Sequence, residues 1–168
     1  MNPIKVYMAS RFRTHQEVNK IADRLEAQGF SVISTWHRVE AVPEYNSILP
    51  PPAKGPDRDA RSMFVAQRDM DEILEADILF LYTHDCDLTP GGMWVEMGYA
   101  MALNKRVYVH GPRTNVFCHC ATLVEFDDKG DIVIVEDSAK YFQVLSERNK
   151  LMQKHLQAKS GLTPTPAV

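Results

Sequence analysis

Two carboxylates sit where they could do chemistry. Glu96 lies in "TPGGMWVEMGYAMALNK" (89–105), in the second turn of an expected helix that opens on Gly91 and Gly92. Its neighbours Met93, Trp94, Val95, Met97 and Tyr99 offer few polar partners. Glutamates are common near helix starts because the macrodipole favours them, and an exposed one needs no further account. A glutamate in so apolar a setting, beside glycines that let a ligand approach the backbone and amides that can hold anionic oxygens, also suits work on a substrate. The glycine pair by itself is equally compatible with simple turn chemistry. Asp69, in "RDMDE", has a solvated helix face as its ordinary reading. It joins Glu96 only if its helix points back over the same cleft.

Further groups fall at expected strand ends. "SRFR" (10–13) is either a solvated loop or, with Ser10, Arg11 and Arg13, a set suited to a phosphate or a sugar hydroxyl. Trp36 and His37 are core-edge packing or a flat wall for a base. His84, Asp85 and Asp87 precede the glycine turn, and His110, Arg113 and Asn115 follow a later strand. "CHC" (118–120) resembles half of a metal site, but no second Cys/His cluster completes a tetrahedral set, so no metal is expected.

The elements that must position these groups alternate. "IKVYMA" (4–9), "FSVIST" (30–35), "DILFLYT" (77–83) and "RVYVHG" (106–111) read as strands, the third the most apolar and central. Between them lie helical patterns. The first runs from Thr14 as a capping residue to Gly29 as a stop, the second over 61–76, and the third begins at the glycine pair. Residues 40–60 carry five prolines and no clear period, so a long loop is expected, of a length that is often functional. "NVFCHCATL" reads as a short helix, "VEFDDKGDIVIVED" (124–137) as one or two strands around a turn, and 138–157 as a terminal helix before a frayed tail, 158–168. Alternating strands and helices imply an α/β sandwich, a parallel sheet of five strands covered on both faces, in one domain over 1–157. Ligands then bind beyond the carboxyl ends of the strands. That rule gathers Tyr7, Ser10, Arg11 and Arg13, Trp36 and His37, His84, Asp85, Asp87 and the glycine turn with Glu96, and His110, Arg113 and Asn115 into one cleft.

The chain has 168 residues and a formal net charge of −3, so no basic excess points to nucleic acid. No apolar run approaches the ~18 residues of a membrane span. Three cysteines and no evident signal segment fit reduced thiols in the cytoplasm.

Taken together, "VYMASRF", "GFSVISTW", "RDMDEILEADILFL", "GGMWVEMGYAMALNKRVYV" and "GPRTNVF" resemble the nucleoside 2-deoxyribosyltransferase-like family in order and spacing, over residues 4 to 126. The resemblance implies a flavodoxin-like fold, assembly as a homodimer or larger homo-oligomer, and no cofactor. It also implies cleavage of the N-glycosidic bond of a nucleoside or nucleotide. By the family's pattern Glu96 is the nucleophile that attacks the anomeric carbon, and Asp69 contacts the base or sugar and assists proton transfer. Tyr7, Ser10, Arg11, Trp36, Asp87, Gly91, Gly92, Met93 and Asn115 are the expected substrate contacts. The stretch "DCDLTPGG" departs from transferases that carry an acidic residue shortly before the glycine turn; Asp85 or Asp87 is the stand-in. Three readings follow: a transferase or hydrolase, among them a nucleoside 5'-monophosphate N-hydrolase; a nucleotide-binding module without turnover; and an NAD-cleaving enzyme.

Overall fold

The computed structural model describes residues 2–38, 56–84 and 91–137. The expected terminal helix and tail, Asp85, Asp87 and loop residues 40–55 lie outside them.

One mixed sheet runs through the molecule in the order β2-β1-β3-β4-β5-β6. Strands β1 (Lys5–Ala9), β2 (Ser31–Val32), β3 (Ile78–Tyr82), β4 (Arg106–His110) and β5 (Thr122–Phe126) are parallel, and β6 (Ile132–Glu136) is antiparallel to β5. The expected five-strand sheet therefore gains a sixth. Its cause is the turn at 127–131, where Asp127 Oδ1 accepts from the amides of Lys129 and Asp131 and Gly130 supplies a φ of +85°. β3, with Ile78–Leu81 buried, is interior as its apolar run demands.

Helices α1 (His15–Ala27), α2 (Pro56–Glu75) and α3 (Gly92–Ala102) cover the sheet, and a short 3-10 turn spans Val116–Cys120. Register assigns the two faces. Tyr7 pairs with Leu79 and Met8 with Phe80, so Tyr7 and Phe80 point to opposite sides. Arg24 of α1 stacks over Phe126, which meets Phe80, so α1 covers the Phe80 face. α2 and α3 pack against each other on the Tyr7 face.

Three local expectations change. α2 starts at Pro56, so residues 56–60 are helical and not loop; proline at a first helical position costs no backbone bond, and its φ suits the turn. Thr14 occupies the cap position of α1 but makes no side-chain cap bond, because its hydroxyl donates to Arg11 O at 2.7 Å. β2 has two residues where 30–35 was expected. The Met8 amide, which would have extended the ladder, donates instead to Ser34 Oγ at 3.0 Å. Gly29, with φ +89°, follows the end of α1 as expected.

Candidate active site

The strand order reverses between β1 and β3, and a crevice at their carboxyl ends follows from that topology. Ser10 fixes its floor: the hydroxyl donates to Tyr82 O at 2.8 Å and lies 2.8 Å from Thr14 Oγ1, tying the loop after β1 to the end of β3. With its proton spent on that carbonyl, Ser10 serves the loop's shape. At the ends of β3 and β4 the chains almost touch. A Cβ on Gly111 (φ +114°) would lie 2.7 Å from Thr83 Oγ1 and 2.8 Å from the His84 amide nitrogen. That contact closes the sheet end there and leaves the β1/β3 side as the opening.

Glu96 meets this crevice from α3. Met93, Met97 and Ala100 point into the core, and Glu96 lies on the helix flank beside them. Glu96 as a residue is partly exposed, but its Oε2 is sealed from solvent and has no hydrogen-bond partner among the described residues. Burial pushes its pKa up to about 8, and the Asp69 carboxylate adds to the rise. The nearby Tyr7 hydroxyl works in the opposite direction, and Glu72 adds a smaller upward push. Asp69 on α2 and the fully buried Tyr7 of β1 thus lie near enough to Glu96 to act on it electrostatically. At neutral pH Glu96 is mostly protonated.

The glycine turn leaves room. A Cβ on Gly91 would meet nothing within 4 Å, and one on Gly92 would meet only Glu96 Oε1, at an ordinary 3.7 Å. Neither glycine is required by the packing of the described chain. Met93, expected as a contact, is buried in the core at 2 % exposure.

Other expected residues lie elsewhere. Trp36 is buried, donating its indole N–H to Met8 O at 2.6 Å. His37 is buried between Asn19 Oδ1 (2.6 Å) and Ser34 Oγ (2.9 Å). Burial, then the Arg38 charge, lower its pKa to about 4, so it is neutral. Both side chains pack as core, and their backbone forms a strap across the end of β1. His110 and His84 stack edge-on at 4.9 Å and join Tyr82 on the α1 face of the sheet, the side away from Tyr7 and Glu96. Arg113 binds Glu136 at 2.8 Å. Asn115 caps the 3-10 turn by accepting from the Phe117 amide at 2.9 Å. It also lines an apolar cavity of about 240 Å³ with Trp94, Gly98 and Met101, on the flank of α3 across from Glu96. Within one chain, then, Asn115 does not join the carboxylates.

Glu72 is the group that reading by residue type overlooked. Its signal was present: it stands three residues after Asp69, on the same helix face. Among the described residues no group of three His, Cys, Asp or Glu side chains could hold a metal ion, and no helix is long and apolar enough to cross a membrane.

A glutamate with one sealed oxygen thus stands near a second carboxylate at the end of a flavodoxin-like sheet. Residues 6–152 match the nucleoside 2-deoxyribosyltransferase family, and the chain belongs to it. Its chemistry is that of N-glycosyl compounds. Among solved structures, the chain is similar to a 2-deoxyribosyltransferase of the psychrotolerant bacterium Bacillus psychrosaccharolyticus, with 26% identity, TM-score 0.52, and 72% of this chain and 85% of the other covered. A further likeness is to the CMP N-glycosidase BcmB of Clostridium botulinum, with 17% identity, TM-score 0.44, and 84% and 98% covered. No curated protein matches the chain significantly in sequence.

Proposed function

We propose that this chain cleaves the N-glycosidic bond of a nucleoside or nucleotide with Glu96 as the nucleophile, passing the deoxyribosyl group to a second base or to water. The observation that carries the reading is the sealed Oε2 of Glu96, which has no hydrogen-bond partner among the described residues and lies near the Asp69 charge. Breaking the bond builds positive charge at C1', which a carboxylate at that carbon stabilises and then captures. The departing base leaves as a neutral species only if it gains a proton.

Glu96 holds that proton. Glu96 is protonated because it is buried and because Asp69 repels a second charge. The proton passes to Asp69 and from there to the base nitrogen as the C1'–N bond breaks, its electron pair staying with the base. Glu96, now ionised, forms the bond to C1'. Attack by another base, or by water, on C1' reverses the sequence and frees Glu96. Tyr7 holds the carboxylate, and Gly91, Gly92 and the loop of Ser10 and Arg11 border the sugar.

Assembly into a homo-oligomer belongs to the same reading. Val95, Val116 and Phe117 are exposed around the cavity that Asn115 lines, which suits Asn115 to a neighbouring copy's site. A chain that sediments as a monomer removes this part. Free Cys118 and Cys120 fit a reducing, cytoplasmic setting.

The test is chromatography of each deoxy- and ribonucleoside and 5'-monophosphate after incubation, with and without a second base. Free base, or an exchanged nucleoside, is expected from the native chain, and Glu96→Ala should lower its rate by on the order of 10³-fold or more. Equal rates in parent and variant would sink the nucleophile. Tight nucleotide binding with no base release would make the chain a binding module.

A further inference from the structure

Glu72 sits one helical turn after Asp69 and grips a single residue with both oxygens. Oε2 accepts the Thr35 amide at 3.1 Å and Oε1 the Thr35 hydroxyl at 2.7 Å. Arg68, one turn earlier, donates Nε to Oε1 at 3.3 Å. The carboxylate side chain is only 13% exposed. Thr35 opens the strap that continues through Trp36, bound to Met8 O, and His37, bound to Asn19 and Ser34. The strap is thereby fixed to α1 and β1 by its later residues and to α2 through Glu72.

Three donors converge on this carboxylate. A glutamine there could offer one oxygen, and its amide nitrogen would face a donor. The negative charge is therefore demanded by Thr35 and Arg68, and it falls on the helix face that looks at Glu96. The ionisable groups presented to Glu96 are Asp69 and Glu72 from α2 and Tyr7 from β1, with Arg68 partly offsetting Glu72.

We propose that Glu72 is a positioning residue for the N-glycosidic reaction: it clamps the Thr35 strap to the helix that carries Asp69 and is itself held, charged, by Thr35 and Arg68. The proposal rests on Glu96 as the reacting carboxylate. Glu72 itself touches no reacting atom, since both its oxygens are occupied.

The test reads the empty protein first. The Glu96 carboxyl carbon, assigned by its loss in Glu96→Gln, is titrated by carbon-13 NMR in the parent, Glu72→Gln and Thr35→Val. Hydrogen exchange of the backbone amide at position 35 is followed alongside in all three. Glu72→Gln should lower the Glu96 midpoint by about half a pH unit, and speed exchange at position 35 about tenfold. Thr35→Val keeps the charge and loses the hydroxyl bond, so it should speed exchange and leave the midpoint in place. An unmoved midpoint in Glu72→Gln overturns the proposal. So does a Thr35→Val shift as large as that of Glu72→Gln, because loosened packing would then account for both. In base-release assays the alkaline limb of kcat/KM should move with the NMR midpoint. A parent that releases no base refutes the N-glycosidic reading instead, and the titration separates the two failures because it needs no substrate.

Discussion

Glu96 carries its proton into neutral pH, and that fixes how the reaction must respond to pH. The proton on Glu96 is the one the departing base takes, so kcat/KM for base release should fall with rising pH along a limb centred near 8, the pKa that burial and Asp69 impose. A profile flat from pH 6 to 9 would mean that the base takes its proton from another group. Glu96 could be singled out from the sequence, because a glutamate among methionines and a tryptophan is chemically out of place, whereas Asp69, in a stretch that reads as a solvated face, is raised only by the family resemblance. Glu72 is marked in its charged stretch only by its spacing from Asp69, and its role is hidden because its partner, Thr35, lies 37 residues away along the chain. Trp36 and His37 were legible as a pair at a strand end. Whether an aromatic face meets solvent or core depends on neighbours such as Met8 and Asn19 that spacing along the chain does not reveal.

At the level of elements, the carboxyl ends of β3 and β4 form a joint that tolerates only glycine. Gly111→Ala would place a methyl 2.7 Å from Thr83 Oγ1 and force an unfavourable φ of +114°. Urea unfolding should show a loss of ~2–4 kcal/mol; a loss under half a kilocalorie would mean that the joint yields. Strands and helices were readable from apolar runs and helical spacing, since burial on a sheet or a helix face imposes those periods directly. The short β2 was not, because Ser34 captures the Met8 amide that a backbone carbonyl would otherwise take. Proline-rich composition likewise hid the first turn of α2, where Pro56 fits a helix start as well as it fits a loop.

Across the whole molecule two buried titrating groups pull stability in opposite directions. Glu96 has its pKa raised from 4.5 to about 8, so folding holds a proton that the unfolded chain releases. Its contribution is complete below pH 4.5 and is lost at ~1.4 kcal/mol per pH unit as pH rises to 8. His37 has its pKa lowered from 6.5 to about 4, so its contribution is complete above 6.5 and is lost at a similar rate as pH falls toward 4. The two slopes cancel between about 4.5 and 6.5. Unfolding free energy measured in urea should therefore be nearly level there and decline from 6.5 to 8, and Glu96→Gln should abolish the decline. A decline that survives in that variant assigns it to another group. The strap from Thr35 to Arg38 bears on the chain's tolerance of change. Because Asn19, Met8, Ser34 and Glu72 anchor it before residue 39, exchanging residues 40–55 for a stretch of another length should leave the carboxylate pair in register.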